Sequence, residues 1–148
     1  MDKEAINAPS NRVIGAAIEV HKELGPGLPE STCERRLCHE LALQGIGCQR
    51  RQFLPLMYQG RQVDEGCRLD VLVENELVLE WKAVEEVTEL HKAQLLTYLR
   101  LSKCWLGLLL NFNVPRMRDG IVGLVCSCIS CFVSIFVPFV PLGFAYPN

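Results

Sequence analysis

The sequence predicts an α/β domain, and three observations carry that reading. Two stretches near the start place apolar residues at helical spacing and stop at glycine or proline. The stretch Gly66 to Lys82 reads as two strands around a tight polar turn. Trp105 to Asn111 is a near-continuous apolar run, as a buried strand requires, and it follows a third stretch of helical character.

A chain of 148 residues is one domain by default and can bury a single adequate core. The formal net charge of −2 excludes the overall basic field that drives non-specific nucleic-acid binding. Phosphate would have to be met by local cations or through a metal. Arg50-Arg51 and the Arg116/Arg118 pair are the tight basic groups, and each reads as a solvated surface. The charged opening Met1 to Asn7 has no apolar run of the kind a signal peptide needs, so a cytoplasmic, reducing setting is expected. In that setting eight cysteines are not expected to form a disulfide framework. Cys33, Cys38, Cys48, Cys67 and Cys104 stand singly and read as small buried apolar residues.

Taken in order, residues 1–11 form a polar, proline-containing lead-in. Val13, Ala17, Val20 and Leu24 then mark a helix over Arg12 to Leu24, stopped by Gly25-Pro26-Gly27. His21 on this helix reads as structural or surface-exposed rather than as a ligand. A second helix starts near Pro29 and ends at Gly45, with Cys33, Leu37 and Leu41 as its apolar stripe. Glu30 lies on that stripe at the helix start. An acid there also gains simply from the helix dipole.

Gly47 to Tyr58, broken by Pro55, reads as an edge or bulged strand. Gln59-Gly60 makes a turn, and Val63 to Val73 leads into the hairpin around Glu74-Asn75-Glu76. Alternation with period two puts Glu80 and Lys82 on one face and Leu79 and Trp81 on the other. The same rule sets Leu69, Val71 and Val73 opposite Asp70, so Asp70 and Glu80 can converge on one side of the sheet. Such solvated charges are common on hairpins. Gathered among apolar residues, however, two carboxylates and an ammonium are costly to desolvate unless they bind something, and carboxylate oxygens suit Mg²⁺ or Mn²⁺. Thr88 is a fitting cap for a helix from Glu89 to Leu101, with Leu90, Ala93, Leu96 and Leu99 to Leu101 as its apolar surface. His91, Gln94 and Tyr98 fall on one narrow face of it, either exposed or lining a cleft beside the hairpin. Asn111 to Gly120 reads as a loop.

These patterns fall in a recognisable order. Gly27-x-x-Glu30, Gly66-x-x-x-Asp70, Glu80-x-Lys82 and Gln94-x-x-x-Tyr98 resemble the GxxExxY family of small bacterial proteins, on the RecB-like side of the PD-(D/E)XK nuclease-like superfamily. Ile14 to His21 before Leu24-Gly-Pro-Gly27, His91-x-Ala93-Gln94 and Asn111-Phe-Asn-Val-Pro115 fit as well. The likeness covers residues 10 to 122. It departs at two places: Cys33 stands where the family has its name-giving tyrosine, and Arg36 where a small residue is usual.

The resemblance implies a restriction-endonuclease-like core, a mixed sheet of about four strands flanked by helices in α-β-β-β-α-β order, over residues 12–122. It implies that Asp70, Glu80 and the backbone carbonyl of Trp81 ligate Mg²⁺ or Mn²⁺, with Glu30 completing the cluster directly or through water. Lys82 would position the attacking water and stabilise charge building on the phosphate, and Gln94 and Tyr98 would orient the site or touch the nucleic acid. The implied activity is metal-dependent hydrolysis of phosphodiesters, in DNA first and RNA second. The other reading is a nuclease-fold module that binds nucleic acid or a protein partner without cutting. The low basic charge and the altered helix motif favour that second reading. The complete Asp70, Glu80, Lys82 set favours the first.

From Ile121 onward the chain carries no charge, and residues 123–148 read as an apolar tail, either disordered or membrane-associated. Pro138 limits the uninterrupted apolar stretch to 17 residues, short for a span, so membrane association is not the favoured reading. Cys126-x-Cys128-x-x-Cys131, with Cys33 or Cys38 upstream, resembles the layout of iron–sulfur RecB-like nucleases. Its unusual spacing and apolar setting argue against a cluster.

Overall fold

A computed structural model describes residues 3–126 and 134–138. Its elements are α1 (Lys3–Leu24), α2 (Glu30–Leu43), β1 (Cys48–Tyr58), β2 (Arg61–Val73), β3 (Leu77–Lys82), α3 (Glu89–Ser102), β4 (Leu106–Asn111), a 3₁₀ turn (Met117–Gly120), β5 (Ile121–Cys126) and β6 (Ser134–Pro138). The strands form one sheet in the order β1-β2-β3-β4-β5-β6. Among the described strands β3 and β4 pair in parallel, joined through α3, and the other neighbours are antiparallel. The α/β class and the α-β-β-β-α-β core are as expected.

Two apolar clusters sandwich the sheet. Val13, Ala17 and Val20 of α1 and Cys33, Leu37 and Leu41 of α2 pack on Val71, Val73, Leu79, Trp81, Leu108 and Leu110. On the opposite face Leu95 and Leu99 of α3 pack on Leu69, Val78, Leu109 and Leu124. The apolar surface of α3 is therefore centred on this i, i+4 pair, while Leu90, assigned to it from the sequence, is 77% exposed. Leu90, five residues before Leu95, falls about 140° round the helix from it and so faces solvent.

Three expectations are revised. The helix α1 begins at Lys3, inside the stretch read as a lead-in, with Pro9 within it. Proline removes one backbone hydrogen bond there, and Ser10, directly after it, is already fully buried. Among the described residues the sheet has six strands where about four were expected, because Ile121–Cys126 pairs with β4 and β6 pairs with β5. β5 spans the position where the apolar tail was expected to begin. Without it, β4, buried along its whole length, would be an open edge. Most of the tail, including Cys128 and Cys131, lies outside the described residues. Among those residues no helix is long and apolar enough to cross a membrane.

The third revision concerns alternation along β2. Val71 and Val73 face the α1–α2 cluster, but Leu69 packs in the α3 cluster, so the side-chain rhythm breaks at Asp70. Arg51, between the Arg50–Val71 and Gln52–Leu69 partners, has φ 53, a left-handed kink in the neighbouring strand. Further out, β1 and β2 slip register between Leu54 and Met57. Gly66 there has φ +94, and a Cβ on it would collide with the Leu54 carbonyl oxygen.

Candidate active site

The β2–β3 ladder runs from Val73–Leu77 to Val71–Leu79 and goes no further. At the next step Asp70 supplies a side chain where a backbone acceptor would stand: the Trp81 N–H donates to Asp70 Oδ2 at 2.8 Å. This contact fixes the carboxylate of Asp70 against the strand that carries Glu80. β3 is an interior strand, paired in parallel with the wholly buried β4, so Glu80 is only 5% exposed.

Burial followed by the charge of Asp70 pushes the Glu80 carboxyl up to about 8, although the Lys82 ammonium opposes this. Asp70 is also raised, by burial first, with the Trp81 N–H and Lys82 pulling the other way. Lys82 Nζ stands 3.5 Å from Glu80 Oε1, with both side chains largely enclosed. Glu80 Oε2 is buried with no hydrogen-bond donor. The predicted convergence of Asp70, Glu80 and Lys82 is thus present in the structure.

Gln94 and Tyr98 reach the same face from α3. Gln94 Nε2 donates to the Tyr98 hydroxyl at 2.8 Å. Burial raises the phenol, and the next largest cause is the charge of Glu80. His91 does not join them. Its Nδ1 accepts the Thr88 N–H at 3.0 Å and closes the cap of α3. His21 is structural as expected, buried with Nε2 2.8 Å from the Val114 carbonyl.

Glu30 approaches from the start of α2. It is exposed, and its Oε1 accepts the Ala83 N–H at 3.0 Å, just beyond Lys82. One helical turn later stands Glu34, which the sequence analysis passed over. It is buried, bonds Arg50 Nε at 2.8 Å, and raises Asp70 more than Glu30 does. A second acid four residues after Glu30 shares its side of the helix, and that spacing was a readable signal. Asn111 was also missed. Its amide bonds both the N–H and the carbonyl of Val84, at 3.1 and 2.9 Å, and it accepts from the Asn113 N–H. The parallel register sets Asn111 beside Lys82, so one polar side chain clasps the chain leaving β3.

These donors fit a hard divalent cation. Asp70 and Glu80 offer carboxylate oxygens in adjoining strands, and Glu80 Oε2 is a buried acceptor with nothing donating to it. Among the described residues, no three His, Cys, Asp or Glu side chains gather into a complete cage. A hard divalent cation that keeps several of its own waters and takes only one or two carboxylates matches such a seat.

No curated protein and no solved structure matches the chain in the comparisons made. One family model does match, over residues 7–123, and its description is the PD-(D/E)XK nuclease superfamily. That span takes in most of α1, all of α2, the hairpin bearing Asp70 and Glu80, α3 and β4. By it, this chain belongs to the PD-(D/E)XK nuclease superfamily.

Proposed function

We propose that this protein is a metal-dependent nuclease hydrolysing phosphodiester bonds in DNA, with RNA as the second candidate, and that it belongs to the GxxExxY group on the RecB-like side of its superfamily. The observation that carries this reading is the buried, donor-free Glu80 Oε2 beside Asp70 and Lys82. Superfamily membership supports a nuclease, and the ordered motifs from Gly27 to Tyr98 support the narrower group.

In this reading Asp70 and Glu80 hold Mg²⁺ or Mn²⁺, together with the Trp81 carbonyl, and Glu30 closes the acidic cluster directly or through water. The bound cation supplies Lewis acidity toward the phosphate and lowers the pKa of a coordinated water. Lys82 stabilises charge that builds on the phosphate. The Gln94–Tyr98 pair orients the scissile strand from the α3 side. Glu34, fixed by Arg50, adds negative potential at Asp70. The setting we propose is the cytoplasm.

The test is cleavage of linear, nicked and single-stranded DNA, and of RNA, by the full chain with Mg²⁺ or Mn²⁺, beside Asp70→Ala and Lys82→Ala. Cleavage lost in both variants supports the reading. Cleavage that survives both would belong to a contaminant. A non-cutting binding module is the second reading, favoured by the net charge of −2 and by Cys33 in place of the tyrosine. Binding of the same substrates without turnover would select it.

A further inference from the structure

Where α2 meets β1, two contacts lie one above the other. The first is the Glu34–Arg50 pair, at 2.8 Å. Four residues further along α2 is Cys38, and two residues back along β1 is Cys48. Those steps advance the helix and the strand by about the same distance, roughly 6 Å, so elements touching at the first pair also bring the two thiols together. Each thiol is the largest influence on the other, as two side chains facing one another across the α2–β1 contact would be. Cys48 Sγ in turn donates to the Ile46 carbonyl at 3.8 Å. Both cysteines are free and half-buried, whereas Cys33 and Cys104 are enclosed in the core.

We propose that Cys38 and Cys48 form a thiol pair that exchanges with a small-molecule disulfide, of the glutathione disulfide class, and closes into a disulfide joining α2 to β1. The Cys48 thiolate attacks one sulfur of the small disulfide, whose S–S bond breaks as a mixed disulfide forms. The expelled thiolate takes up the proton that Cys48 released. Cys38 then gives up its proton and attacks the Cys48 sulfur of the mixed disulfide, expelling the second small thiol, which takes that proton. In sum, two protein thiols lose two electrons, and one small disulfide becomes two thiols.

The order of attack follows from the surroundings. The Cys38 thiol is the largest influence on Cys48 and lowers it below the usual thiol range, against burial and Glu74. Cys38 is raised by the Cys48 side chain first, then by burial and by the charges of Cys48 and Glu34, with Arg50 opposing.

The test treats the reduced full-length protein with oxidised glutathione, quenches with acid, alkylates, and maps peptides by non-reducing mass spectrometry. The expected product is a Cys38–Cys48 peptide pair about 2 Da lighter than its parts, formed before any adduct at Cys67, which is also free and half-buried. Cys38→Ser should accumulate glutathione on Cys48, since the resolving thiol is gone. Cys48→Ser should leave Cys38 unmodified over the same period. Modification of Cys48 no faster than Cys67, or a first linkage between other cysteines, would overturn the proposal. The wild-type map needs no variant to fold.

Discussion

The side chain of Asp70 stands in for a missing strand partner, accepting the Trp81 N–H at 2.8 Å where the β2–β3 ladder stops. One carboxylate therefore has two separable duties, a structural acceptor and a charge. Asp70→Asn keeps an oxygen for Trp81 and removes the charge, so it should melt within a few degrees of the wild type yet show no rise in melting temperature with Mg²⁺ or Mn²⁺. Asp70→Ala also abandons the buried Trp81 N–H, which costs about 1–3 kcal/mol. Thermal melts of the three proteins, with and without cation, check both statements.

Glu80, raised to about 8, ties cation binding to protons. Its folded value lies above its unfolded one, so the stability linked to its protonated form is full below about 4.5 and is lost as pH rises through about 8. The cation-free protein should therefore lose stability between pH 5 and pH 8, and Glu80→Gln should flatten that slope and gain on the order of a few kcal/mol at the alkaline end. Cation binding must expel the proton, so affinity in the wild type should rise up to roughly tenfold per pH unit below about 8 and level off above. Titration calorimetry at several pH values reads this directly.

Lys82 and the acids should separate in experiment. Lys82→Ala leaves the carboxylates of Asp70 and Glu80 in place, so Mn²⁺ should still raise the melting temperature. Cleavage should fall by about 10²-fold or more, because charge on the phosphate goes uncompensated. Loss of cation-induced stabilisation in this variant would show that the lysine shapes the seat itself.

Arg50 is exposed and holds the buried Glu34. Arg50→Ala should destabilise the fold by about 1–3 kcal/mol, most of it from the abandoned carboxylate. Glu34→Gln added to Arg50→Ala should recover a large part of that loss. A denaturant-unfolding double-mutant cycle measures the coupling.

Gly66 takes φ +94 with its α-carbon pressed against the Leu54 carbonyl. Gly66→Ala should cost about 2 kcal/mol or more and loosen the β1–β2 hairpin, which hydrogen exchange along residues 52–69 would report.

Local patterns carried most of this fold. The Gly25-Pro26-Gly27 stop, the Thr88 cap and the polar turn at Glu74-Asn75 each have a chemical signature readable in a few residues, and Glu74 and Asn75 do take positive φ. Asp70, Glu80 and Lys82 were legible because period-two alternation holds along β3. The break at Asp70 was not legible, since it depends on the kink at Arg51 in another strand. Glu34 was obscured because its neighbour Cys33 already explained the inward stripe of α2. Cys38 and Cys48 looked solitary because their meeting is set by how a helix lies on a strand. β5 was hidden by composition, as an uncharged apolar run reads alike whether its partner is a sheet or a lipid.

The Asn111 clasp sets how the site responds to its surroundings. An amide carries no proton to lose between acid and alkali, and it accepts and donates to Val84 without help from any ion. The frame around Lys82 therefore keeps its shape while the carboxylates beside it change charge, so pH should alter occupancy and rate long before it alters architecture.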